Sequence, residues 1–102
     1  RYRYTTMSGS DSGKSVTLTL SYENGTLKGE FDPVDKYMGR FAMVRIAPDV
    51  FAPGLYDKRG EIYEVLRPDM MFTFARANGR PMTFEERGGD DELSARGMRL
   101  PN

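Results

Sequence analysis

Ser15-Val16-Thr17-Leu18-Thr19-Leu20-Ser21-Tyr22, continuing through Glu23-Asn24-Gly25-Thr26 into Leu27-Lys28-Gly29-Glu30-Phe31, decides the fold class. Val16, Leu18 and Leu20 alternate with Thr17 and Thr19, so an extended chain puts the aliphatic residues on one face and the hydroxyls on the other. Valine and threonine also favour the pleated backbone, where a branched Cβ packs well against its neighbours. Asn-Gly is a strong hairpin signal, because both positions tolerate the positive φ of a tight two-residue turn. The return segment then turns Leu27 and Phe31 inward and Lys28 and Glu30 outward. An antiparallel hairpin with one buried face is the expectation.

The same grammar recurs outward from that hairpin. Asp32-Pro33 ends the pairing, since proline has no N–H to give a ladder. The stretch 34–40 reads as a loop or one short helical turn. Phe41-Ala42-Met43-Val44-Arg45-Ile46 is expected as a third strand and Glu61-Ile62-Tyr63-Glu64-Val65-Leu66 as a fourth. Between them, Pro48 and Pro53-Gly54 bracket a connecting segment in which Val50, Phe51 and Leu55 tuck under the sheet. Arg67-Pro68-Asp69 is a turn, and 70–76 a fifth strand with Met70, Phe72 and Phe74 on one face. Ala77-Asn78-Gly79-Arg80 repeats the Asn-Gly device. Pro81-Met82-Thr83-Phe84-Glu85-Glu86 returns with Met82 and Phe84 inward and Thr83 and Glu85 outward. Arg87-Gly88-Gly89-Asp90-Asp91-Glu92 is a solvated turn, and 93–100 closes as the last strand. Frequent turn signals with no helical period between them predict an all-β fold of seven or eight strands joined by hairpins, an antiparallel barrel or sandwich. Residues 1–14, rich in Gly and Ser, are expected to be a flexible N-terminal segment, and 15–102 a single β domain.

At 102 residues there is room for one core. The hydrophobic fraction of 38% is lean, and six Tyr with six Phe compensate for it, because large rings bury more area than aliphatic side chains. Fifteen basic and fifteen acidic residues cancel to a formal net charge of zero, so nucleic acid is not an expected partner. No apolar run is long enough to span a bilayer. The chain has no cysteine, which removes disulfides, thiolate metal sites and thiol nucleophiles; cytoplasm and bacterial envelope are both compatible with that. It also has no histidine, which removes the Ser-His-Asp triad and imidazole acid-base or metal chemistry. Acid-base work would fall to carboxylates, Lys or Tyr. The chain starts Arg1-Tyr2-Arg3-Tyr4, without Met or a signal-peptide pattern, and so reads as an excised module or a mature chain.

Ser8-Gly9-Ser10-Asp11-Ser12-Gly13-Lys14-Ser15 superficially resembles a phosphate loop. The required first glycine is Ser8, and the lysine opens a strand rather than a helix, so no nucleotide is expected. Asp90, Asp91 and Glu92 are consecutive acids without the alternating spacing of a calcium loop, and Asp32 with Asp35 falls to the same objection. Asn24-Gly25-Thr26 matches a glycosylation acceptor but is already explained by the turn. No cofactor is expected. Arg45, Tyr56, Tyr63 and Arg76 lie in or beside strands with apolar neighbours. With Phe72 and Phe74 they are the candidate ligand-binding residues, lining a cavity for an anionic or planar ligand. The competing reading keeps their stems packed and their heads in water at the rim. The seven Met residues read as adaptable core filling.

Val16-Thr17-Leu18-Thr19-Leu20 with Glu23-Asn24-Gly25-Thr26-Leu27, and Met71-Phe72-Thr73-Phe74-Ala75-Arg76-Ala77-Asn78-Gly79-Arg80-Pro81-Met82-Thr83-Phe84, resemble the opening and closing hairpins of a module at the C-termini of bacterial β-lactamase-like serine hydrolases. The segment 93–99 is similar to the strand that follows there. The family's opening Tyr-x-Gly-x-Tyr is not clear here; Tyr37-Met38-Gly39-Arg40-Phe41 looks like a displaced version. The resemblance implies a lipocalin-like barrel or half-barrel appended to a catalytic domain whose Ser-x-x-Lys motif is absent from this chain. The expected function is a non-catalytic accessory module that binds a small ligand or packs on a partner domain. The alternatives are a free-standing carrier of an apolar or amphipathic molecule and an enzyme using Tyr and carboxylates in a barrel mouth. A module should have a filled interior, a carrier a hollow one, and an enzyme buried ionisable groups close together.

Overall fold

Alternating sequence becomes alternating burial along several strands of the computed structural model, which describes residues 1–33 and 38–101. Among these residues the elements are β1 (Tyr2–Thr6), β2 (Ser15–Glu23), β3 (Thr26–Asp32), β4 (Arg40–Ala47), β5 (Val50–Tyr56), β6 (Ile62–Val65), β7 (Met71–Ala77), β8 (Arg80–Arg87) and β9 (Leu93–Arg99), with no helix. Each pairing is antiparallel. The order β4-β3-β2-β1-β9-β8-β7-β5 closes on itself through β4 and β5, giving a barrel of eight strands, with β6 hung on β5 outside the ring. The all-β antiparallel expectation therefore holds, and the barrel is complete rather than half-formed. The loop or helical turn expected in 34–40 falls partly on residues 34–37, which lie outside the described residues.

Both Asn-Gly turns form as read. Asn24 and Gly25 have φ of 53° and 80°, and Asn78 and Gly79 have 54° and 77°, the double positive φ that matches the twist of flanking strands. The first hairpin pairs Leu18 with Phe31 and Leu20 with Gly29.

Two expectations are corrected. Within the segment 1–14 expected to be flexible, residues 2–6 form a strand: β1 lies between β2 and β9 and completes the ring. The cause is alternation, since Tyr2 and Tyr4 face inward while Arg1 and Arg3 stay exposed, and Tyr2 is only 5% exposed. The segment 50–55 is a strand rather than a tucked connection, despite Pro53. The Pro53 carbonyl accepts the Leu66 N–H at 2.9 Å, and a strand residue points its N and O to the same side. Its missing N–H thus falls where β5 exchanges partners, after pairing β7 at Val50 and Phe51 and before pairing β6 from Gly54.

An eight-stranded barrel is just wide enough for side chains to fill it. Here rings fill it. All six Phe, with Tyr2 and Tyr4, form one connected network, mostly edge-to-face, with centroids 4.8–6.2 Å apart. Such pairs add about 0.5–1.5 kcal/mol each beyond the area they bury. Phe84 is the hub, touching Tyr2, Tyr4, Phe72 and Phe74. Two glycines make room for this filling. Gly29 lies under the Phe41 ring and Gly97 under the Phe84 ring, each opposite that residue on the neighbouring strand. A Cβ at Gly97 would come within 1.9 Å of Phe84.

At one end of the barrel Met38 and Met70 pack against the core. Glu86, which pairs with Phe72 and faces inward, is only 4% exposed. The Tyr4 hydroxyl donates to its Oε1 at 2.6 Å and the Ser94 hydroxyl to its Oε2 at 2.7 Å. Both carboxylate oxygens are therefore satisfied, as burial of a polar group requires.

Candidate functional site at the open end

The other end stays open because the strands carry short, polar or charged residues where they leave the core. A cavity of about 800 Å³ sits there, within the size range of small-molecule sites. Its floor is the upper layer of the aromatic network, Tyr2, Phe51 and Phe74, with Met43 beside them. The β2–β3 hairpin supplies one lip, through Leu20, Leu27, Ser21 and Thr26. Arginines supply the other: Arg45 from β4, Arg76 from β7 and Arg99 from β9, with Arg1 ahead of β1.

Asp49 is the one carboxylate among the described lining residues. It occupies the β4–β5 turn with a φ of 61°, and its carbonyl accepts the Phe74 N–H at 2.8 Å, which pins the turn to β7. Arg76 Nε donates to both Asp49 oxygens at 3.0 and 3.1 Å, and its Nη1 donates to the Gly79 carbonyl at 3.0 Å. The Arg76 hydrogen bond holds the Asp49 carboxyl below the usual carboxylate range, with the charge of Arg45 acting the same way. The Tyr2 hydroxyl donates to the Pro81 carbonyl at 2.7 Å. Burial pushes its titration upward, opposed by the charges of Arg99 and Arg76. Arg45, Arg76, Arg99 and Arg1 thus share the mouth with Tyr2 and Asp49, and Arg76 holds Asp49 directly.

Of the six candidate residues, the structure brings Arg45, Phe74 and Arg76 together at this mouth. Phe72 lies deeper, with no exposure, as a core ring. Tyr56 is on the outer face of β5, since Leu55 faces in; Lys28 Nζ sits 5.4 Å from its ring, and its buried hydroxyl has no hydrogen-bond partner among the described residues. Tyr63 is 62% exposed on β6, remote from the mouth. Sequence reading missed Arg99, Arg1, Asp49 and the floor residues Tyr2 and Phe51. The signal for Tyr2 was the Arg-Tyr-Arg-Tyr alternation; for Arg99 it was the alternation of Ala95, Gly97 and Arg99 on the inward face of β9.

A second, shallower depression of about 540 Å³ lies on the outer wall across β8, β9 and β1, beside exposed Met7 and Met98. Ile62, Tyr63 and Val65 are exposed along β6. Among the described residues no cluster of carboxylates is arranged to hold a metal ion, and no helix is long and apolar enough to cross a membrane.

Fold and site together define a closed eight-stranded antiparallel barrel with a ring-packed interior and an arginine-lined mouth at one end. No family model, curated protein or solved structure matches the chain.

Proposed function

We propose that this barrel is a non-catalytic accessory module that binds a small molecule in its mouth. The observation that carries the reading is the 800 Å³ cavity lying above an interior already filled by aromatic rings. A carrier that swallows its ligand needs the space those rings occupy. An enzyme of the Tyr-carboxylate kind needs a free ionisable pair within reach of substrate, whereas Tyr4 is bonded to Glu86 at the far end and, at the mouth, the Tyr2 hydroxyl is bonded to the Pro81 carbonyl and Asp49 to Arg76. The resemblance to an appended barrel of serine hydrolases implies the same accessory role. A second reading, docking on a partner domain, is favoured by the exposed Ile62, Tyr63 and Val65 of β6.

One experiment separates the two. The chain is melted alone and with fatty acids, haem and aromatic dyes. A ligand at a hundred times its dissociation constant stabilises the fold by about 2.7 kcal/mol, raising the midpoint by roughly 10 °C. A shift for one ligand class supports the mouth; a flat panel from a folded chain refutes it and favours docking through β6.

A further inference from the structure

We infer that the mouth selects an amphipathic anion: a small molecule whose carboxylate is taken by an unpaired arginine of the mouth, Arg45 or Arg99, while its apolar part rests on the β2–β3 lip and the aromatic floor. The inference rests on the binding-module reading and adds the ligand's chemical class.

The first argument is charge segregation. Over the chain, acids and bases cancel, yet the mouth is lined by four arginines and one carboxylate. The second is that this carboxylate already has its partner. Asp49 is held by Arg76, leaving Arg45 and Arg99 without an ion pair among the described residues. A guanidinium stays charged at any physiological pH and offers a planar fork that matches a carboxylate. Asp49 shows that an arginine of this mouth accepts a carboxylate, since Arg76 Nε donates to both of its oxygens. A concave site with low-dielectric walls also focuses the field of such a cluster.

The third argument is polarity across the opening. The arginines come from β4, β7 and β9, which span half of the ring with Arg45 and Arg99 on strands opposite each other, whereas Leu20 and Leu27 come from β2 and β3 in the other half. A simple inorganic anion would leave the Leu20–Leu27 side and the Phe51 and Phe74 rings unused. A neutral apolar ligand would leave two guanidiniums unpaired beside it. A ligand carrying both parts uses the whole mouth.

The test is calorimetric titration of the chain with 2-naphthoate, with its neutral counterpart 2-naphthalenemethanol, and with inorganic phosphate. Hydrogen bonds to a charged group set the expected preference for naphthoate over the alcohol at about tenfold or more. Phosphate should bind more weakly than naphthoate, and added salt should erode the preference. Arg45→Gln with Arg99→Gln should bring naphthoate and the alcohol to within about twofold of one another, with the melting temperature of the free chain unchanged. Arg3→Gln, on the outer wall, should leave the preference intact. If the alcohol binds the native chain as tightly as naphthoate, the anion inference is overturned while the binding-module reading stands. If neither binds, the mouth reading itself falls. A preference that survives in the double variant removes Arg45 and Arg99 from the site.

Discussion

Replacing Gly97 by alanine should destabilise the barrel, although alanine normally improves on glycine within a strand. In an ordinary strand the gain is about 0.5–1 kcal/mol, because the unfolded chain loses freedom. Here the added Cβ would lie 1.9, 2.2 and 2.4 Å from three carbons of the Phe84 ring. Normal contact begins near 3.4 Å, so the ring must retreat by about 1.5 Å. Phe84 is 1% exposed, with Tyr2, Phe72 and Phe74 between 5.2 and 5.5 Å from it centroid to centroid, and has nowhere to go. Overpacking of a closed core costs about 1–3 kcal/mol, and three clashing atoms against a ring hub place this case at the upper end. Net of the strand gain, about 2 kcal/mol should be lost, lowering the midpoint by roughly 10 °C. The assay is urea unfolding followed by circular dichroism, on Gly97→Ala, Phe84→Leu and the double variant. Phe84→Leu alone opens a cavity and should cost about 1–2 kcal/mol. The double variant should lose less than the two single losses added together, since the methyl then occupies space the ring vacated. A Gly97→Ala variant as stable as the native chain, or strictly additive losses, would refute this account of the core.

Glu86→Ala should cost about 2–4 kcal/mol, because Tyr4 loses a buried acceptor and a void opens beneath it. Glu86→Gln should cost about 1 kcal/mol or less, since an acceptor remains for Tyr4 and the Ser94 hydroxyl also reaches the residue-86 carbonyl at 3.0 Å; denaturant midpoints of the two variants decide it. Two tyrosines should respond oppositely to loss of the hydroxyl. Tyr2→Phe breaks the bond to Pro81 and should cost about 1 kcal/mol, whereas Tyr56→Phe removes a buried hydroxyl that has no partner among the described residues and should be neutral or stabilising by thermal melt. On the acid side, hydrogen bonds from Arg76 and Arg40 hold Asp49 and Glu23 below their usual ranges. A carboxyl depressed in the folded state contributes stability that is present above its unfolded value, near pH 4, and lost as pH falls through the folded one. Asp49→Asn with Glu23→Gln should therefore flatten the decline of melting temperature below about pH 4, and an unchanged acid limb would contradict the assignment.

The strands were legible wherever the alternation ran between turn residues that explain themselves. Asn24-Gly25 and Asn78-Gly79 fix their hairpins because a two-residue turn has few chemical solutions. β1 and β5 were missed for different reasons. In β1 the inward residues are tyrosines and the outward ones arginines, so an amphipathic ring carries the pattern that an aliphatic residue usually carries. In β5 a proline stands mid-strand, and its tolerance depends on β5 trading one neighbour for another at that point. No local pattern encodes that exchange. Barrel closure through β4 and β5, and the exclusion of β6 from the ring, are likewise properties of the whole set of pairings.

The site was half legible, and the division has a physical basis. Arg45, Phe74 and Arg76 were within reach because each continues a strand's inward face. Tyr56 and Tyr63 were misplaced because a tyrosine beside a strand is equally at home on the outer wall. Glu86 shares its face with Phe84 two residues earlier, and the same parity that buried Phe84 should have buried it. That parity argument also explains why the two ends of the barrel differ. Where an inward charge has hydroxyls opposite, as Glu86 has Tyr4 and Ser94, the barrel can close over it. Arg45 and Arg99 form no ion pair among the described residues, and burying a lone guanidinium would cost several kcal/mol. The end that carries them stays open to water, or to an anion that supplies what the chain does not.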